Sequence, residues 1–109
     1  MTRKAPRLDA NHADVVAAFE GAGIAVQSLA GMARGVPDIL IAYNDVTWCV
    51  EIKDGSRAPS QRKLTRDEMR WHMAWPGRVV VVYDLEDAKH ISSAIKRQSR
   101  ALAKVEDAG

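Results

Sequence analysis

The sequence predicts a single α/β domain with elements in the order α-β-β-β-α-β-α. Three observations carry that prediction. Apolar residues recur at helical spacing in one segment near the start of the chain and in another near its end. Two short apolar runs flank Asn44-Asp45 as the arms of a β-hairpin would. Between them and the closing helix lies a continuously apolar run, Val79 to Val82, with the look of a strand.

Composition narrows the class. A chain of 109 residues suits one domain with a modest core, and 47% apolar with 28% charged residues is ordinary for a globular protein. A net charge of +2 permits nucleic-acid binding without arguing for it, so a contact surface must come from local clustering of charge. The longest apolar stretches fall far short of the ~20 residues a membrane helix needs. No apolar segment follows the basic start "MTRKAPRLDA", so a secretory signal is not expected there. Cys49 stands alone, which excludes an internal disulfide and a multi-cysteine zinc site. A cytoplasmic protein with no membrane partner is the expectation.

Residues 1–8, with Arg3, Lys4 and Arg7 around Pro6, read as a flexible basic arm, residues 9–104 as the domain, and residues 105–109 as a fraying end. The first helix runs through "DANHADVVAAFEGAG". Asp9 or Asn11 can cap it, Val15, Val16, Phe19 and Ala22 form its stripe, and Gly21 and Gly23 end it. A strand, "IAVQSLA", and a loop, "GMARGVP", follow. The hairpin comes next, Asp38 to Tyr43 and Val46 to Lys53; both turn residues tolerate the positive φ of a two-residue turn. After the polar loop "DGSRAPSQRK", a helix from Thr65 to Trp75 opens with a capping box of Thr65 and Glu68 and stops at Pro76-Gly77. "RVVVVYD" reads as a central strand buried on both faces. Leu85 to about Ala103 closes the domain as an amphipathic helix with Ala88, Ile91, Ile95 and Leu102 inward.

The hairpin concentrates charge. With Asn44-Asp45 as the turn, Tyr43 faces Val46 and Asp38 lies opposite Glu51. Opposed residues share a face with Cβ atoms roughly 4.5–5.5 Å apart, and Lys53, two places on, shares it too. Ile39, Ile41, Trp48, Val50 and Ile52 take the other face. Two opposed carboxylates repel, but a divalent cation between them reverses the sign. Hard oxygen ligands of this kind suit Mg²⁺ or Mn²⁺, ions that keep several waters and share their site with phosphate. A lysine beside such an ion can orient or deprotonate the attacking water or neutralise a phosphorane-like transition state. This is chemistry for hydrolysing a phosphodiester. The plainer alternative makes Asp38 a turn residue and Glu51 and Lys53 a solvated edge-strand pair.

The run "GVPD", twelve residues, then "EIK" resembles the PD-(D/E)XK nuclease signature. The wider set resembles the small stand-alone phage and bacterial members of the VRR-NUC family: "DAN", "GVPDILIAY", "EIKDGS", "KLTRDEMRWH" and "VVVVYDLEDA", spread over roughly residues 9–90. The resemblance implies a restriction-endonuclease-like mixed sheet flanked by helices and metal-dependent cleavage of DNA. It makes Asp38 and Glu51 the metal carboxylates, Lys53 the catalytic lysine, and the Ile52 backbone carbonyl a further metal ligand. The family often adds an acid from the first helix. Asp14 matches it best, through a water because its side chain is short, with Glu20 as runner-up. A glutamine near the second helix is also usual, and Gln61 is retained only as a DNA contact.

The loop cations Arg57, Arg62 and Lys63 are candidate phosphate contacts, against a simply solvated loop. His12, His72 and His90 lack partners at metal-ligand spacing; for His72, packing and a DNA contact both stay open. Trp71 and Trp75 form an apolar stripe with Leu64 that suits a core or dimer contact better than base stacking. Cys49 reads as a buried structural thiol. The expected function is a Mg²⁺- or Mn²⁺-dependent DNA endonuclease selective for branched or junction structure rather than sequence, acting as a homodimer. The alternatives are a catalytically silent nucleic-acid-binding module on the same fold and a structural domain.

Overall fold

The computed structural model describes residues 11–108, so the expected basic arm and any cap from Asp9 lie outside the described residues. The fold is mixed α/β, a four-stranded sheet with three helices. Helix α1 spans His12–Gly21 and leads into strand β1, Ala25–Ser28. Strands β2, Ile39–Tyr43, and β3, Val46–Ile52, form the hairpin. A 3-10 turn at Pro59–Gln61 precedes helix α2, Arg66–Ala74. Strand β4, Val79–Val82, and helix α3, Leu85–Ala108, complete the chain. No helix among the described residues is long and apolar enough to cross a membrane.

The sheet order is β1-β2-β3-β4, antiparallel except for the parallel pair β3–β4. Asn44 and Asp45 adopt φ of 44° and 70°, so the two-residue turn forms as their chemistry allows. That turn fixes the register: Tyr43 pairs with Val46, Ile41 with Trp48 and Ile39 with Val50.

Helices α1 and α3 pack on each other, and α3 lies against β2, β3 and β4. The core joins Val15 and Phe19 of α1 to Ile39, Ile41, Trp48, Val50 and Ile52 of the hairpin, with Val82, Ala88 and Ile95. On the other side of β3, Cys49 and Glu51 are buried as well. There α2 stands over the sheet, started by a complete Thr65–Glu68 capping box. The loop before β2 presses on the first turn of α2. A Cβ on Gly35, which has φ of 84°, would collide with the Asp67 carbonyl, so the position needs glycine.

Three expectations are corrected. β4 is an edge strand, not a central one, and of its four valines only Val82 is fully buried. β-Branched residues suit an edge as well as a centre. The interior places go to β2 and β3, and β3 is buried everywhere but Thr47. Helix α3 runs on to Ala108, and Leu102 is 46% exposed rather than inward. Its 24 residues span about 36 Å, against about 23 Å for the seven residues of β3, so its last turns outrun the sheet. Asn11 holds the N-cap position of α1 but makes no capping bond. Its amide instead donates to the carbonyls of Lys53 and Tyr83, both at 2.9 Å, tying α1 to the ends of the parallel strands.

Candidate active site

Asp38 sits one residue before β2, after the buried Pro37. Its carbonyl accepts the Leu29 N–H at 2.9 Å, anchoring it beside β1. Its Oδ2 accepts the Ile52 N–H at 2.7 Å, which carries the Asp38 carboxylate across the hairpin to the Glu51–Ile52 peptide. The arrangement extends the ladder by one place beyond Ile39–Val50.

Glu51 is 3% exposed. Burial is the main cause that pushes its carboxyl up, to about 10. A hydrogen bond with Asp38, the Asp38 charge and the Glu68 charge act the same way, and Lys53 opposes them weakly. At neutral pH Glu51 therefore keeps its proton, because burial and the neighbouring carboxylate both disfavour its ionised form.

Lys53 follows directly after β3. Its N–H donates to the Val82 carbonyl at 2.9 Å, and its Nζ donates to Glu68 Oε1 at 2.8 Å. Burial works to raise the Glu68 carboxyl, but the bonds from Lys53 and Thr65 outweigh it and hold Glu68 below the usual range. Glu68 thus closes the helix cap and orients the lysine at once.

His72 stands one turn further along α2. Its Nε2 lies 3.9 Å from Glu51 Oε1, and both atoms are buried with no hydrogen-bond partner. Burial chiefly lowers its pKa, so the imidazole is neutral at pH 7; Glu68 acts in the raising direction and Lys53 in the lowering one.

The structure thus brings together Asp38, Glu51 and Lys53. It adds two residues that the sequence did not single out for the site, Glu68 and His72. Their separation of four residues on α2 was the available signal, since it puts both on one helix face. Asp14 and Glu20 are exposed on α1, and no hydrogen bond or ion pair among the described residues joins either to Asp38 or Glu51. Among the described residues no three His, Cys, Asp or Glu side chains converge as a ready metal cage. The donor set is the carboxylate pair. That set fits Mg²⁺ or Mn²⁺, which bind through one or two carboxylates and keep several waters. The unpartnered Oε1 and the displaceable proton on Glu51 fit as well. Ile52 is buried, with its N–H engaged by Asp38.

The loop after β3 splits by role. Arg62 donates to the Gly55 carbonyl at 3.0 Å and lies 5.9 Å over the Tyr83 ring, so it holds the loop in shape. Arg57, whose Nε is 3.7 Å from Asp54, is exposed, as are Gln61 and Lys63. On α2, Trp71 and Trp75 stack at 4.8 Å, with Trp75 exposed beside Met69 and Met73. Cys49 is buried, and burial raises its thiol pKa, which keeps it unreactive.

Comparison with known proteins gives no match: no family model, no curated protein and no solved structure aligns with this chain.

Proposed function

We propose that this protein is a Mg²⁺- or Mn²⁺-dependent deoxyribonuclease on a restriction-endonuclease-like sheet, of the VRR-NUC type it resembles. The observation that carries the reading is the buried Glu51 carboxyl against the Asp38 carboxylate. A charge pair this unfavourable in a plain sheet has a ready purpose if a divalent cation belongs between its members.

Asp38 and Glu51 would hold the ion, with the Ile52 carbonyl as a further oxygen. When bound, the ion supplies Lewis-acid polarisation of the phosphodiester and an ionised water. The chain's own residues do the rest. Lys53, fixed by Glu68, places positive charge beside the reacting phosphate and neutralises charge as it builds. Arg57, Lys63 and Gln61 offer contacts for the backbone, while Arg62 keeps their loop in shape. A domain this small leaves little surface for reading bases, which supports selection by DNA shape or branching.

Assembly follows from the same reading. The exposed Met69 and Met73 of α2 and Trp75 at its end, with Met32 in the loop beside it, support a homodimer that supplies two sites to a two-armed substrate. Light scattering over micromolar concentrations tests this; a mass fixed at 12.0 kDa with full junction cutting overturns it.

One observation favours a second reading, a catalytically silent DNA-binding module: the Lys53 ammonium is engaged by Glu68. A panel of labelled single-stranded, duplex, flap and four-way-junction DNAs with Mg²⁺ or Mn²⁺ separates the two. Cleavage that Asp38→Asn abolishes supports the nuclease; binding without cleavage supports the module.

A further inference from the structure

We infer that His72 is a positioning residue for Glu51, its Nε2–H donating to Glu51 Oε1 when the carboxylate pair holds a divalent cation. The inference rests on the proposed metal site and adds a residue to it.

Glu51 Oε1 and His72 Nε2 are both buried and both lack a hydrogen-bond partner. Buried polar atoms of native proteins are nearly always paired, so each orphan asks for an explanation. These two face one another at 3.9 Å, with side chains 4% and 12% exposed. The gap exceeds the usual N–H···O range by under about 1 Å. A carboxylate oxygen is an acceptor, and an imidazole protonated on Nε2 is the matching donor.

The fold presents the ring for that task. The capping box fixes the start of α2, and the loop at Gly35 packs against the Asp67 carbonyl. Trp71 meets the His72 ring edge-on at 6.2 Å and 76°. Glu68 and His72 lie on one face of the helix, so the face that holds Lys53 also addresses Glu51. One rigid turn of helix thereby sets two side chains of the site. Partners that orient a metal-binding carboxylate commonly carry 10–100-fold of metal affinity.

The test uses the full chain and Mn²⁺, with affinity read by calorimetry and thermal stability read without metal. Asp38→Asn establishes that the binding measured is at the carboxylate pair. His72→Phe keeps the ring's bulk and removes the donor; it should weaken Mn²⁺ binding about 10-fold while leaving metal-free stability unchanged or higher. His72→Gln, whose amide nitrogen reaches a similar point, should restore most of the affinity. If His72→Phe does not fold, His72→Leu takes its place. A donor-free variant that binds Mn²⁺ as the parent does, or a His72→Gln weakened equally, overturns the role of His72 alone. A parent that takes up no Mn²⁺, or an Asp38→Asn that binds equally well, overturns the metal site and the inference with it.

Discussion

Asp38 and Glu51 meet one place beyond the last ladder pair of the hairpin, with Asp38 Oδ2 on the Ile52 N–H at 2.7 Å and the Glu51 carboxyl buried beside it. Two carboxyl groups so placed can share a proton or a cation, and their chemistry is the choice between the two.

If a cation takes the proton's place, the ion must stabilise the folded chain. At ten times its dissociation constant, Mg²⁺ or Mn²⁺ should add about 1.4 kcal/mol, which for a domain of this size is about 6 °C in Tm. Asp38→Asn should remove most of that gain. Differential scanning fluorimetry with and without the ion measures it; an equal shift in parent and variant places the metal elsewhere.

Lys53 and Glu68 should separate chemistry from folding. Lys53→Ala is expected to retain DNA and Mn²⁺ binding and to lose cleavage by about 100-fold or more, the range of a positioned acid–base or charge-stabilising group. Glu68→Ala removes the lysine's partner and half of the capping box together, so it should cost cleavage and also about 1 kcal/mol of stability. Single-turnover nicking and thermal melts read the two effects. Cleavage within a few-fold of the parent in Lys53→Ala would mark the lysine as a bystander.

The buried acid predicts a pH dependence for the metal-free protein. Glu51 is raised in the folded state, from an ordinary 4.5 to about 10. Over that window the folded chain keeps a proton that the unfolded chain releases, so the contribution to stability falls as pH rises. The slope is at most about 1.4 kcal/mol per pH unit. Glu51→Gln is neutral throughout and should flatten the profile. It should match the parent near pH 4 and exceed it at pH 8 in chelator. Parallel profiles in the two proteins would show that Glu51 does not titrate differently on unfolding.

The basic loop predicts a salt signature. Arg57→Ala with Lys63→Ala should weaken DNA binding and reduce the slope of log affinity against log salt by about 0.9 for each phosphate no longer neutralised. The cost in stability should be small because both side chains are exposed. Arg62→Ala should lower Tm as well, since it removes the bond to Gly55 and the stacking on Tyr83. An unchanged slope in the double variant moves the DNA surface off this loop.

The sequence by itself determined the hairpin and its consequence. Asn44-Asp45 set the turn, the turn set the register, and the register placed Asp38 against Glu51. The Thr65–Glu68 cap was equally legible. These features are written within a few residues, where backbone preference and side-chain period decide the outcome. Only the tertiary structure decided that β3 is an interior strand and the four-valine β4 an edge, that Asn11 bonds two strand ends instead of its own helix, and that His72 stands over Glu51. An apolar run states that it wants burial without stating beside what. An amide or imidazole meets whichever polar group the packed chain brings near, and for Asn11 and His72 those groups lie far away in sequence.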